Sequence, residues 1–341
     1  MSRRAGRART QIPSALVFVF CLSAFAFPPP EGPRVDSLGP NLYAYISDND
    51  SSANSTFLIG PKSILVVDTS IDHFEAEKLL REIRKISPLP VGYIVNTHYH
   101  PDHQGGNGII GPDAAVISSP FTRERTIAVA EATSKPGAAR PAGHEFMFRP
   151  ATETFTDKLT IYLGDNPVEI IAAWPAHTLG DVYVYFPKQR AVATGDLYLT
   201  NSVPAMDQGS AAHWIQDLDQ ILALPADHFV PGHFEVGTRQ TIQRFRDYMN
   251  DLNTQVVAFA KTGATEEEIR QKNPAAAVLR FPPVREIRSH LRRQRRRNPQ
   301  ANPLCEVTHL RVFWRRVRPA KANKVNWHKA PVAQLDRASA F

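Results

Sequence analysis

The sequence predicts a mixed α/β (α+β) protein built as an αββα sandwich, in which two sheets pack face to face and helices cover their outer faces. Two blocks of short apolar runs lead to this prediction, and each block is followed by segments with helical spacing. Candidate metal ligands come directly after several of these runs, where an open sheet edge carries functional loops. The 341 residues suffice for one large domain or two small ones with a sizeable core.

The first block of predicted strands lies between residues 42 and 70. Its apolar runs, separated by turn-forming stretches such as DNDSSAN and GPK, are LYAYIS, STFLIG and SILVVDTS. Residues 72–86 place apolar side chains at helical spacing and predict an amphipathic helix. VGYIVNT then predicts a buried strand, and AAVISS predicts another that is followed by a helix from Pro120.

The second block follows a predicted flexible loop at residues 133–153, which is rich in proline, glycine and alanine. Four strand signals come in succession, KLTIYLG, VEIIAAW, DVYVYFP and RAVATGD. Residues 211–224 predict a helix, DHFVPGH a further strand, and residues 238–261 the longest helix. Thr265 and Glu268 have the spacing of a capping box, which indicates the start of one more helix.

Both ends of the chain differ from its middle. Residues 1–26 combine four arginines with the apolar run SALVFVFCLSAFAF, which predicts a cleaved signal peptide. We therefore expect a periplasmic or secreted protein without stable membrane insertion after cleavage. Residues 27–40 are proline-rich and predict a linker, residues 41–284 the functional domain, and residues 285–341 a basic tail that is disordered or not genuine coding sequence.

The formal net charge of +7 is unevenly placed. From Phe281 to the end, 15 Lys or Arg stand against 3 Asp or Glu, and the first 26 residues add four arginines, so the body between them is acidic. An acidic body disfavours a nucleic-acid partner, because nucleic-acid binding depends on neutralising phosphates. The expected partner is a small-molecule substrate; a non-catalytic protein that binds nucleic acid through its tail is the alternative.

One short stretch, NTHYHPDHQGG, concentrates metal-capable side chains. His98 and His100 are two residues apart after a predicted strand, so both can point to the same side. A proline turn follows, and Asp102 and His103 then face back towards them, so one loop can serve two adjacent ions. Imidazole and carboxylate ligands suit zinc, and iron or manganese would accept the same set. After the ligands, Gly105 and Gly106 are expected to let the backbone turn away tightly.

Three further candidate ligands each stand just past an apolar run. His177 lies in PAHTLGD, Asp196 in ATGD and His233 in VPGH. His144, in the predicted loop, could belong to a lid over the metals, and Asp207 lies on a loop that could face the substrate. Both cysteines lie outside residues 27–280, so the body offers no thiolate as nucleophile or ligand.

These motifs resemble, in order and spacing, those of the metallo-β-lactamase superfamily over residues 40–260. HYHPDH matches its H-x-H-x-D-H signature, and AHTLGD, TGD and PGH match the later motifs. The resemblance implies the αββα fold of that family and two metal ions. By that resemblance, His98, His100 and His177 would hold the first ion. Asp102, His103 and His233 would hold the second, and Asp196 would bridge the two.

The resemblance also implies a reaction. Two zinc ions about 3.5–4 Å apart can share a hydroxide whose pKa is lowered towards neutrality. That hydroxide would open an acyl C–N, C–O or C–S bond, for example in a β-lactam. Asp102 is the expected catalytic residue, since its carboxylate can orient the hydroxide or move its proton.

The branch of the family is only partly indicated. B1 and B2 β-lactamases place a cysteine where this chain has Asp196, and B3 enzymes usually place a serine there. An aspartate at that position is more typical of glyoxalase II and lactonases. A glyoxalase II-like thioesterase and a mononuclear iron, persulfide dioxygenase-like oxidoreductase are therefore alternatives to the zinc hydrolase.

Overall fold

The computed structural model of the chain describes residues 32–134, 143–200, 202, 204–265 and 267–269. They all belong to one unit, Gly32–Phe341, and the other unit, Met1–Glu31, lies outside them. The expected signal peptide and basic tail also lie outside the described residues, so both stay predictions, as does export. None of the described helices is both long and apolar enough to cross a membrane.

Two sheets organise the described residues. The first sheet has seven strands in the order β1 Arg34–Gly39, β2 Leu42–Ile46, β3 Ser55–Ile59, β4 Ile64–Val67, β5 Val91–Val95, β6 Ala115–Ser118 and β7 Glu153–Thr154. The second has six strands in the spatial order β13 Gly237–Thr238, β12 His228–Pro231, β11 Ala191–Gly195, β10 Val182–Phe186, β9 Asn166–Ala172 and β8 Lys158–Leu163. Strands β4 to β7 run parallel to one another, as do β11 and β12, and the remaining pairs are antiparallel.

Six helices of four or more described residues accompany the sheets. They are α1 His73–Ile86, α2 Pro101–Gln104, α3 Asn107–Ile110, α4 Pro120–Thr133, α5 Ala211–Ala223 and α6 Arg239–Thr262. Side chains that accept from backbone N–H groups begin the longer ones, for example Asp72 at α1, which accepts from Glu75 at 3.0 Å. The predicted capping box is confirmed, since Thr265 N donates to Glu268 at 2.6 Å and Glu268 N donates to Thr265 at 3.2 Å.

The packing confirms the predicted αββα sandwich. In β4, Leu65 and Val67 join the core between the sheets, whereas Ile64 and Val66 join the core that includes Leu79 of α1. Strand β10 alternates in the same way between the inter-sheet core and the core that holds the apolar faces of α5 and α6. Because successive side chains of a strand point to opposite faces, each sheet is buried on both sides.

The structure differs from the prediction in its smallest elements. Strand β1 falls inside the segment expected to be a linker, residues 27–40, so the folded sheet begins before residue 41. Leu38 is the single buried apolar residue of β1, and one such residue does not make an alternating pattern that would predict a strand. Pairing with β2 stabilises the strand instead. Strands β7 and β13 have two residues each and α2 and α3 four, which is too short for any periodicity to appear.

The layering brings five chain segments to one edge. Asp68 follows β4 and Asn96 follows β5, and these strands are parallel neighbours whose ends meet. In the other sheet, Asp196 follows β11 and Gly232 follows β12, again a parallel pair. The loop after β9 carries His177 to the same place, where its ring lies 4.7 Å from that of His98.

Candidate metal centre

The loop after β5 is closed at its base by paired amides. Asn107 Nδ2 donates to Asn96 Oδ1 at 2.8 Å, and Asn96 Nδ2 donates to Asn107 Oδ1 at 3.1 Å. A Cβ on Gly105 would lie 1.7 Å from Ile71 O, and one on Gly106 would lie 2.1 Å from Thr69 O. Neither glycine has a positive φ, so close backbone approach, rather than the expected turning freedom, explains them.

Four of the predicted residues form the first cluster. Ligand atoms of His98, His100, His177 and Asp196 all lie within 4.8 Å of one another. The Nδ1 atom of His100 is central, because it lies 3.0 Å from His98 Nε2 and 3.1 Å from His177 Nε2. Three imidazole nitrogens and a nearby carboxylate that converge in this way are a donor set that could hold one cation.

The other three predicted residues form the second cluster. Ligand atoms of Asp102, His103 and His233 also lie within 4.8 Å of one another. Asp102 Oδ2 lies 3.1 Å from His233 Nε2 and 3.4 Å from His103 Nε2. Two imidazoles and one carboxylate are a set that zinc, iron or manganese accepts.

Asp196 faces both clusters. Its Oδ2 lies 3.4 Å from His177 Nε2, and its Oδ1 lies 3.3 Å from His103 Nε2 and 3.8 Å from His233 Nε2. A Cβ on Gly232 would lie 1.9 Å from Asp196 Oδ1, so only glycine lets this carboxylate occupy its place. One side chain therefore connects two groups of ligands through its two oxygens.

The donor atoms of this centre fit bound metal ions. His103 Nε2 and Asp196 Oδ1 are buried and lie 3.3 Å apart, yet neither makes a hydrogen bond of normal geometry within the described residues. Buried polar atoms are rarely left unpaired, so such atoms need an explanation. A cation between them would satisfy both, and the donor set of imidazole and carboxylate is of the right chemistry.

Side chains behind the ligands fix which nitrogen of each histidine faces the centre. Asp68 Oδ2 lies 2.7 Å from His103 Nδ1 and accepts from Thr97 Oγ1 at 2.7 Å, while its Oδ1 accepts from Thr97 N at 2.8 Å. Since a carboxylate accepts, His103 carries a proton on Nδ1, which leaves its Nε2 to face the second cluster.

The first cluster is supported in the same way from the loop before α5. Asp207 Oδ2 lies 3.3 Å from His100 Nε2 and accepts from the Tyr99 hydroxyl. His177 Nδ1 contacts the carbonyl oxygen of Ala205. These contacts leave His100 Nδ1 and His177 Nε2 to face the cluster.

The electrostatics of the centre favour charged carboxylates. Burial alone would raise the pKa of Asp196 and of Asp102, but the neighbouring histidines, His103 above all, hold both pKa values well below the usual range. Burial lowers the pKa of His98, and the adjacent histidines lower it further. For His103, burial would lower the pKa, but the carboxylates around it, led by Asp102 and Asp196, raise it well above the usual value.

The structure thus brings all seven predicted metal-site residues together, and it adds two carboxylates. Asp207, on a loop expected to be able to face the substrate, contacts His100; the expectation about the substrate stays a prediction. Asp68 has no counterpart among the predicted site residues; its signal was a carboxylate directly after a buried strand, as for Asp196. His144, expected in a lid, lies 2.9 Å from Asp72 at the start of α1 and belongs to neither cluster.

One family model and two curated proteins match parts of this chain. The model of the metallo-beta-lactamase superfamily matches residues 48–233. The chain is 23% identical over 255 residues to a linear primary-alkylsulfatase of Pseudomonas sp. (strain ATCC 19151), covering 62% of this chain and 48% of that protein. It is 30% identical over 181 residues to the 2,4-dinitroanisole O-demethylase subunit alpha of Nocardioides sp. (strain JS1661), covering 51% and 50%. The chain thus spans about half the length of these curated relatives.

A solved structure shares the fold. The mono-zinc form of the metallo-β-lactamase FIM-1 from Pseudomonas aeruginosa superposes with a TM-score of 0.52 at 15% sequence identity. The match covers 64% of this chain and 96% of that protein. At this identity the likeness concerns the fold alone.

Proposed function

This chain belongs to the metallo-β-lactamase superfamily. We propose that it is a hydrolase that uses water to cleave an acyl C–N, C–O or C–S bond, and that its two clusters would each hold one zinc ion, which would activate the water and the substrate. The observation that carries the proposal is the position of Asp196, whose two oxygens face two different groups of ligands. A site for a single ion would not need a carboxylate shared between two clusters, so this arrangement favours the hydrolase over a mononuclear iron oxidoreductase.

Each cluster has the ligands for one ion. His98, His100 and His177 would hold the first, and Asp102, His103 and His233 the second, with Asp196 between them. Bound zinc would supply Lewis acidity for the substrate oxygen and would lower the pKa of water towards neutrality. The carboxylates of Asp102 and Asp196 stay charged at neutral pH, because the neighbouring histidines lower their pKa values. These two carboxylates can therefore bind cations without first losing a proton.

Asp102 is the residue that we assign to proton transfer. Its side chain is 23% exposed, compared with 10% for Asp196, so of these two carboxylates it is the more open to solvent. Its contacts with His103 and His233 both use Oδ2, which leaves Oδ1 to accept a proton from the attacking water or to orient it.

The substrate class is tested best with a panel. The proposal of acyl-bond cleavage calls for a β-lactam, a lactone and a thioester as test substrates. An alkyl sulfate and an aryl methyl ether are added because the names of the two curated relatives refer to such compounds. We expect the zinc-loaded full chain to hydrolyse at least one β-lactam, lactone, aryl ester or thioester. A chelator should abolish this activity and added zinc should restore it, without oxygen uptake.

Two outcomes would contradict the proposed function. Oxygen consumption with glutathione persulfide by an iron-loaded sample, together with no hydrolysis by the zinc-loaded sample, would favour the oxidoreductase. Hydrolysis that persists at full rate after complete metal removal would show that the clusters are not the catalytic centre. The variant Asp219→Ala is a matched control, because this aspartate lies on the surface of α5 in an exposed pair with Arg246 at 2.7 Å.

A further inference from the structure

Phe234 has an unusual backbone for an aromatic residue. It directly follows His233 of the second cluster, and its φ of +71° lies in the left-handed region. A side chain with a Cβ is disfavoured in that region, and bulky residues are the rarest there. Glycine would adopt this φ without strain, so the local chain path does not require a phenylalanine.

Hydrogen bonds on both sides hold this backbone in place. Asn54 Nδ2 donates to the carbonyl oxygen of Phe234 at 2.7 Å and to that of Pro231 at 3.1 Å. Asn54 N donates to Gly232 O at 2.7 Å, and Thr200 Oγ1 donates to Glu235 O at 2.6 Å. A strained conformation persists only where its surroundings determine it so fully, and such residues cluster at functional sites.

Core packing does not account for the aromatic ring either. Phe234 is 41% exposed and belongs to none of the three buried clusters found in the described residues. Its ring lies 6.2 Å from that of His233. An exposed apolar side chain likewise stands close in sequence to the first cluster, since Leu179 follows His177 by two residues and is 36% exposed.

We infer that Phe234 is a specificity-determining residue, whose ring packs against an aromatic or large apolar group that the substrate carries next to the bond to be cleaved. The inference rests on the proposed function and deepens it by naming a substrate class. Small-molecule sites are lined mainly by apolar and aromatic side chains around a few polar groups. Here the seven side chains of the two clusters are polar, so the exposed ring beside His233 supplies an apolar surface.

Binding of two carboxylates to the zinc-loaded full chain tests this inference without turnover. Benzoate and acetate share the charged group and differ in the apolar ring, and NMR titration gives their dissociation constants. We expect the chain to bind benzoate more tightly than acetate. Phe234→Ala should weaken benzoate binding about tenfold, the size expected from exposing one ring face to water, and leave acetate binding unchanged. Phe234→Tyr should retain the affinity for benzoate.

A thermal unfolding measurement separates recognition from structure. Because Phe234→Gly relieves the left-handed strain, its melting temperature should equal or exceed that of the unaltered chain although its benzoate affinity falls. Tyr162→Ala is the matched control, since Tyr162 is an aromatic residue on the edge strand β8 that is 74% exposed, and it should change neither value.

The inference would be overturned if benzoate and acetate bound equally well to the unaltered chain. It would also be overturned if the Phe234 variants lost stability and both affinities together, which is the mark of a structural role. Failure of the proposed function is a separate result, because it would appear as a lack of hydrolysis of every substrate in the panel. The comparison of benzoate and acetate binding would still test the role of Phe234 in that case.

Discussion

Replacing Asp196 with alanine is expected to lower the affinity of the chain for zinc by more than about 100-fold, because removing partners outside the ligand set already costs about 10–100-fold. The loss is large since this carboxylate faces both clusters, at 3.4 Å from His177 and 3.3 Å from His103. Without it, the first cluster keeps only three imidazoles, and the carboxylate of Asp102 is the one that remains of the two in the clusters. Hydrolysis should fall to the background of the metal-free protein.

Competition with a chromophoric chelator measures this affinity directly. The surface variant Asp219→Ala should bind zinc as the unaltered chain does. Circular dichroism of the metal-free Asp196→Ala protein should match that of the metal-free parent, because Asp196 Oδ1 has no hydrogen bond to lose. Zinc affinity within about threefold of the parent would contradict the shared-carboxylate account, since the smallest loss expected from that account is far greater.

Replacing Asp68 is expected to give the second large effect, on stability as well as on metal binding. Asp68→Ala removes the acceptor of Thr97 N, Thr97 Oγ1 and His103 Nδ1, all of which are buried. Breaking a buried charged pair costs about 3–5 kcal/mol. We expect a value near 3 kcal/mol, because Asp102 and Asp196 still face His103 Nε2. Urea unfolding of the metal-free protein measures this free energy.

Asp68→Asn separates the two roles. Its amide oxygen can still accept from Thr97 N, which turns the amide N–H towards His103 Nδ1. His103 Nδ1 would then have to accept a hydrogen bond. The imidazole proton of His103 would therefore move from Nδ1 to Nε2, the atom that faces Asp196. Zinc affinity should therefore fall about 10–100-fold while stability falls less than in the alanine variant. An asparagine variant that binds zinc like the parent would show that Asp68 does not select the histidine tautomer.

The residues of the two clusters could be predicted to lie together because their signals are local. Each of them stands within a few residues of the end of an apolar run, and both the strand pattern and the spacing of His98, His100, Asp102 and His103 can be read over short stretches. The layered fold followed from the same runs, since buried strands and amphipathic helices leave few ways to cover their apolar faces. The confirmed capping box at Thr265 and Glu268 is a signal of the same local kind.

The contacts of the supporting residues could not be predicted, even where a residue such as Asp68 carried a local signal, because their partners are distant in the chain. Asp68 contacts His103 across 35 positions and Asp207 contacts His100 across 107, and only the folded sheets bring these pairs together. Strand β1 was missed because its stability comes from pairing with β2 rather than from its own pattern. The sequence around Phe234, PGHF, did not predict its left-handed backbone, because that conformation is imposed by the folded structure around it.

The metal content of the full chain tests the central claim most directly. We expect elemental analysis of zinc-loaded, exhaustively dialysed protein to find two zinc ions per chain, and the same measurement on Asp196→Ala to find fewer. Two ions would agree with two clusters that share one carboxylate. A single ion per chain in the unaltered protein, whether zinc or iron, or no retained metal, would contradict the shared centre on which this account depends.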